Sequence, residues 1–329
     1  MKNISVAIVG ATGLVGRKFL EILEERNVPI SSLFLYASSK SAGKTLSFNG
    51  KEYPVLVLSE EEVVKHPVDF ALFSAGNEVS TKFAPIFAKM KTIVIDNSSA
   101  FRMDPSVPLV VPEVNPEDAF KHLFIIANPN CSTIQEVVAL APLHKRYELK
   151  RVVVSTYQAV SGGGIKGIDD LQNQSPTGQT KKFPYQIVGN VIPHIDVFLE
   201  NGNTKEEEKI IHETRKILHL PKLSITCTAV RVPVLNCHSE SINVQFKQPF
   251  RLPDVFDALK NAPGVIVYDD VKTLKYPMPI VVDNHDEVYV GRIRIDDSIK
   301  NSLNMFVVGD NLRKGAATNA VQILQLFLK

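Results

Sequence analysis

The apolar run Val6-Ala7-Ile8-Val9 passes without a spacer into Gly10-Ala11-Thr12-Gly13-Leu14-Val15-Gly16, and Gly13 through Glu24 then repeats apolar residues at helical spacing. A strand that turns on glycines directly into a helix strongly restricts what can follow. The next segments keep the alternation. Leu33 to Ala37 and Val68 to Phe73 read as strands, and Val79 to Met90 reads as a helix after the turn Ser74-Ala75-Gly76-Asn77. Thr92 to Ile95 reads as a strand ending in Asp96-Asn97-Ser98-Ser99. Strands apolar on both faces, alternating with helices, predict a parallel sheet covered on both sides. The first helix is expected to bury Val15, Phe19, Leu20 and Leu23.

Beyond Leu149 the texture changes. Arg151 to Ala159, Ser224 to Val232, Ile242 to Phe246, Val265 to Val267, Glu287 to Ile295 and Ser302 to Val308 read as strands, several with polar residues at alternate positions. That is the pattern of an antiparallel sheet with one wetter face. The expected fold is α/β: a Rossmann-like doubly wound parallel nucleotide-binding domain over residues 1–131, completed by a C-terminal helix over 313–329, plus a second α+β domain over 132–312 with a largely antiparallel sheet. Asn173 to Pro184, rich in Gln, Ser, Thr, Lys and Pro, reads as an exposed loop.

With 329 residues and 44% hydrophobic content the chain can bury the cores of two domains. A formal charge of +2 without basic blocks gives nucleic-acid binding little support. Cys131, Cys227 and Cys237 fall outside any C-x-x-C spacing, which argues against a disulfide framework or a zinc ribbon and for a reducing, cytoplasmic setting. No stretch reads as a signal peptide or a membrane span, and no His-Cys-Asp cluster has metal-ligand spacing.

Two places carry chemistry. In the glycine turn, Gly10, Thr12, Gly13, Leu14, Val15 and Gly16 offer backbone N–H groups to a pyrophosphate at a helix start; the same glycines would also serve helix-sheet packing alone. The acidic residue that would hold a ribose hydroxyl is absent after the second strand. Ser38, Ser39, Lys40 and Ser41 stand there instead, suited to a 2'-phosphate and hence to NADP, or to a solvated polar loop. The second place is Asn128-Pro129-Asn130-Cys131-Ser132-Thr133, which sets a thiol at the start of a helix, where its pKa falls. Cys227 and Cys237 read as buried structural residues. His238, following a strand expected over Val230 to Leu235, is a candidate base; His66, His122, His144, His212 and His219 read as surface or helix-end residues.

These motifs occur in a specific order. Gly10 to Gly16, Ser74-Ala75-Gly76, Asp96 to Arg102, Val111 to Asn115, Asn128 to Thr133, Thr156 to Gly162, Arg231-Val-Pro-Val and His238-Ser-Glu240 together make the chain resemble the bacterial type of aspartate-semialdehyde dehydrogenase along essentially its full length. The resemblance implies that Cys131 is the nucleophile, that His238 is the acid-base group and that Gln158 orients the substrate. It places Arg231 at the substrate α-carboxylate, Arg102, Lys209 and Asn130 at the phosphate, and Glu206 at the ammonium. From composition alone Glu206-Glu207-Glu208-Lys209 would be a solvated helix face, and Gln158 a strand-end residue.

The resemblance also brings Ser74, Gly76, Ser161, Gly162, Gly163 and Asn319 to the cofactor, although Gly162-Gly163-Gly164 would equally suit a hinge. It implies a homodimer or a pair of dimers, a small-molecule substrate with inorganic phosphate, no metal, and supply of the lysine or diaminopimelate, methionine, threonine and isoleucine routes. Rivals are reductases of other acyl phosphates, such as N-acetylglutamyl phosphate, and a non-enzymatic NADP sensor.

Overall fold

The computed structural model describes residues 3–41, 43–173 and 179–328. Of the polar loop expected over Asn173 to Pro184, residues 174–178 lie outside the described residues, as does the last position of the segment 313–329. By contacts the chain forms two compact units, Met1–Pro129 with Ala316–Lys329, and Asn130–Gly315. The sequence predicts the divisions after 131 and 312, whereas Asn130, Cys131 and residues 313–315 belong to the second unit.

The first unit is the expected parallel layer. β1 (Ile4–Val9) leads through the glycine turn into α1 (Leu14–Glu25), and β2 (Ile30–Ala37) pairs parallel with β1. An unexpected hairpin follows, β3 (Thr45–Phe48) and β4 (Lys51–Val57), turned at Asn49-Gly50 with both residues at positive φ. Asn-Gly is the dipeptide such a turn favours, a signal the apolar-run reading passes over. α2 (Glu60–Lys65), β5 (Phe70–Phe73), α3 (Asn77–Lys89), β6 (Ile93–Asp96) and β7 (Ile125–Ala127) complete a sheet of order β3-β4-β2-β1-β5-β6-β7, parallel except at the hairpin.

Because side chains alternate along a strand, β1 feeds two cores. Val6 and Ile8 pack in one with Phe19 and Leu23 of α1 and with Val321 and Leu324 of the C-terminal helix Thr318–Leu326. Ala7 and Val9 pack in the other with Phe83 and Phe87 of α3. Val15 is only partly buried against the first core.

The second unit runs α4 (Cys131–Tyr147), β8 (Leu149–Gln158), α5 (Ile165–Gln172), α6 (Lys205–Ile217), β9 (Ser224–Arg231), β10 (His238–Phe246), α7 (Leu252–Lys260), β11 (Val265–Val267), α8 (Pro279–Val282), β12 (Val288–Asp296) and β13 (Ser302–Gly309). The sheet order is β11-β12-β13-β10-β8-β9. Its central pairings are antiparallel and its two outer pairings parallel, consistent with the largely antiparallel expectation. One expectation fails. The strand expected over Val230 to Leu235 ends at Arg231, since Pro233 has no N–H for a ladder, and His238 opens a new strand instead of following one.

Glu136 on α4 and Glu240 on β10 are both fully buried in this unit. Desolvation lifts Glu136 from 4.5 to about 8 against a hydrogen bond from Thr214; desolvation and then the charge of Glu136 lift Glu240 as well. An unfolded carboxyl ionises near the ordinary value and the folded one far above it. This contribution to stability is therefore complete below about 4.5 and is lost as pH rises towards 8. A tenfold change in proton affinity corresponds to ~1.4 kcal/mol, so the loss reaches a few kcal/mol. Glu136→Leu is expected to flatten this dependence, raising Tm more at about pH 8 than at about pH 5 in circular-dichroism melts.

Candidate active site

Cross-strand register assembles the centre of the second unit. Gln158 pairs with Arg231 across β8 and β9, and Tyr157 pairs with Ser239 across β8 and β10. Strand alternation then turns Thr156, Gln158, Ala229, Arg231, His238 and Glu240 to one face and Tyr157 to the other. All six are buried, whereas Tyr157 is exposed. Helices α4 and α6 pack on the buried face.

The helix carrying the thiol is capped by Asn130. Its Oδ1 accepts the N–H groups of Ser132 (2.9 Å) and Thr133 (3.3 Å), satisfying donors that a helix start leaves orphaned. Cys131 is the first residue of α4 and is half-buried, while Cys227 and Cys237 are buried and desolvation pushes both their thiols up. Only Cys131 has both access and a helix N-terminus to favour a thiolate.

Arg231 donates from Nη1 to Ala159 O at 2.6 Å, sits 5.7 Å from the Phe183 ring centroid, and interacts electrostatically with Cys131. The Nδ1 of His238 accepts the N–H of Ala159 at 3.0 Å, so the neutral ring carries its proton on Nε2, a buried atom with no hydrogen-bond partner among the described residues. Burial first, and the Arg231 charge second, push this histidine down to about 3, against weaker upward effects of Glu206 and of a backbone contact at Cys237. Gly162 separates the two side chains: a Cβ there would lie 3.0 Å from Arg231 Nη1 and 3.3 Å from His238 Nε2.

On α6 the three consecutive glutamates divide. Glu207 forms a capping box with Thr204 and also accepts Ala229 N–H at 2.9 Å, while Glu208 accepts from Asn201 and Asn203. Glu206 turns to the site, accepting from Asn130 Nδ2 (2.8 Å), Gln158 Nε2 (3.2 Å) and Lys209 Nζ (3.1 Å). Burial raises its pKa, but Lys209 and these hydrogen bonds outweigh that and hold it below the ordinary value. Lys209 is held up in turn, because Glu206 and Asp196, the latter at 2.7 Å, overcome its own desolvation. Asp196 and Phe183 carried no sequence signal, since each is a loop residue brought in by the fold.

Ser161 bonds Asn311, and Gly163 lies against Lys182 and Phe183. Thus Asn130, Cys131, Gln158, Ser161, Gly162, Gly163, Glu206, Lys209, Arg231 and His238 all belong to the second unit.

The remaining predicted residues belong to the first unit. Gly10 has φ +88° and a Cβ there would lie 2.4 Å from Ser74 O; one on Gly16 would lie 2.2 Å from Gly10 O. Close packing therefore already demands both glycines. The ligand signal lies elsewhere: α1 has Gly13 at its N-cap, with no side-chain cap and no acid in its first turn, which suits a pyrophosphate. Thr12 Oγ1 lies 3.2 Å from Ser41 Oγ, tying the turn to an exposed Ser38-Ser39-Lys40. Gly76, at φ +87°, is the N-cap residue of α3, also without a side-chain cap. Arg102 donates to Asn97 O. Asn319 is fully buried and donates to Val110 O and Asn128 Oδ1, a bracing position within the unit.

A doubly wound unit joined to a thiol-bearing α+β unit defines the two-domain semialdehyde dehydrogenases as a class. The family models described as "Semialdehyde dehydrogenase, NAD binding domain" and "Semialdehyde dehydrogenase, dimerisation domain" match residues 5–122 and 140–314. Aspartate-semialdehyde dehydrogenase of Aquifex aeolicus is 57% identical over 98% of both chains, and that of Campylobacter jejuni 48% over 100% of this chain and 98% of its own. The crystal structure of aspartate semialdehyde dehydrogenase II from Vibrio cholerae, complexed with ASA, superposes with a TM-score of 0.95 at 46% identity, covering 100% of this chain and 99% of its own. The chain belongs to the aspartate-semialdehyde dehydrogenase family.

Proposed function

We propose that the chain catalyses the reversible, NADP-dependent reductive dephosphorylation of 4-phospho-L-aspartate to L-aspartate 4-semialdehyde. The observation that carries this reading is the buried set Gln158, Arg231 and His238 on one sheet face, covered by the helix that begins with Cys131. The Cys131 thiolate attacks the acyl carbon, forming a C–S bond, while the backbone N–H of Cys131 stabilises the oxyanion. The bond between the acyl carbon and the bridging oxygen then breaks, and phosphate leaves with the electron pair on that oxygen, towards Lys209 and Asn130. Arg231 pairs with the α-carboxylate, Gln158 orients the carbonyl, and Glu206 faces the ammonium.

Ser161, Gly162 and Gly163 would line the nicotinamide ring of a bound NADPH, which would supply the hydride that reduces the thioester. The Nε2–H of His238 donates to the thiohemiacetal oxyanion, whose collapse breaks the C–S bond and frees the aldehyde and the Cys131 thiolate. Ser38 to Ser41 support NADP over NAD. The exposed sheet face around Tyr157, with the dimerisation-domain match of the second unit, supports a homodimer. A catalytic thiol suits a reducing cytoplasm. The aldehyde would feed the lysine or diaminopimelate, methionine, threonine and isoleucine routes.

The test is the initial rate of NADP reduction by L-aspartate 4-semialdehyde, with and without phosphate and with the N-acetylglutamate semialdehyde as control. Phosphate-dependent reduction with the aspartyl aldehyde is expected. In the same assay Lys40→Ala should raise the KM for the phosphorylated dinucleotide ~10-fold and leave that for the unphosphorylated one unchanged. Phosphate-independent turnover, or preference for the N-acetylated aldehyde, overturns the reading.

A further inference from the structure

Asn130 uses every polar group it has. Its carbonyl accepts Ile134 N–H at 3.0 Å, its Oδ1 accepts two further helix N–H groups, and its Nδ2 donates to Glu206. Its own backbone N–H donates to Glu213 Oε2 at 2.6 Å. Glu206 and Glu213 stand seven residues apart on α6, two turns along one face, and both are buried. One helix thus presents two carboxylates to one cap residue, one to its side chain and one to its backbone. The residue so held is the one directly before the thiol.

We infer that Glu213 is a positioning residue for Cys131: it fixes the backbone of the cap from which the nucleophile projects, and the assignment rests on Cys131 being the nucleophile. A short bond between a carboxylate and an N–H is among the stronger neutral-to-charged hydrogen bonds. Asn130 is otherwise tied to α4 through its carbonyl and Oδ1, and those bonds move with the helix. Glu206 and Glu213 are the ties that reference the cap to a second element. Glu206 faces the substrate region, and Glu213 lies two turns away from it along the helix. The carboxylate also places negative charge near the start of α4, which opposes thiolate formation. Geometry and charge therefore act in opposite directions, and two variants separate them.

Glu213→Ala removes the acceptor and the charge; Glu213→Gln keeps an acceptor and removes the charge. The measurements are kcat and KM for L-aspartate 4-semialdehyde, together with the pH dependence of Cys131 alkylation by iodoacetamide, each on the full-length protein after a thermal melt. Glu213→Ala is expected to lower kcat about 10- to 100-fold with KM within about threefold, as for a misplaced reacting group. Glu213→Gln should restore most of kcat and shift the alkylation profile to lower pH. Wild-type kcat in Glu213→Ala with an unshifted profile in Glu213→Gln would overturn the assignment. So would equal losses in both variants accompanied by equal losses of Tm, the result of a purely structural role. Alkylation needs no substrate, so a wild type inactive on the aspartyl aldehyde would refute the proposed reaction and leave this test standing.

Discussion

Cys131→Ala is expected to abolish turnover, by roughly 10⁴-fold or more, while dinucleotide binding stays within about twofold of wild type. The reason lies in the placement of the thiol. It is half-buried at the first position of α4, and its removal leaves the Asn130 cap, the sheet face and the glycine turn intact. The other two cysteines cannot substitute, because desolvation keeps both protonated. Single-turnover acylation monitored alongside fluorescence titration with NADPH checks both halves. Turnover that persists without the thiol would remove the covalent route.

Arg231→Leu should reduce kcat/KM for the aspartyl substrate about 10²- to 10³-fold, corresponding to ~3–4 kcal/mol for a buried charged partner, with little change in cofactor affinity. A second effect follows from its neighbours. The guanidinium depresses His238, and its attraction to the Cys131 thiolate favours that form. Without it the histidine protonates at higher pH and the thiol holds its proton to higher pH. Both changes move the acid limb of the pH-rate profile upward. A profile that keeps its acid limb while kcat/KM falls would confine Arg231 to substrate binding.

Much of the first unit was legible because a buried parallel strand is a local signal: Val6 to Val9 and Val68 to Phe73 are apolar on both faces, and each is followed by a glycine turn and a helical period. The hairpin at Thr45 to Val57 escaped, since Thr45, Ser47, Lys51 and Glu52 interrupt its apolar pattern; Leu46, Phe48 and Val55 are buried in the core, with Tyr53 and Leu56 packed against the cores. The start of β10 escaped for a related reason. His238 and Glu240 look like loop residues by polarity, and only a covering pair of helices makes them buried.

The same division runs through the site. The thiol at a helix start, the glycine turn and the ordered motifs could all be read along the chain, because each is a matter of adjacent residues. Packing between distant segments instead selected which of three adjacent glutamates faces the site, shared Lys209 between Glu206 and Asp196, and brought Glu213 to the backbone of Asn130. These depend on how α6 is rotated against α4 and on the register that aligns Gln158 with Arg231. Helix rotation and strand register are set by contacts among residues far apart in sequence, so no local pattern encodes them.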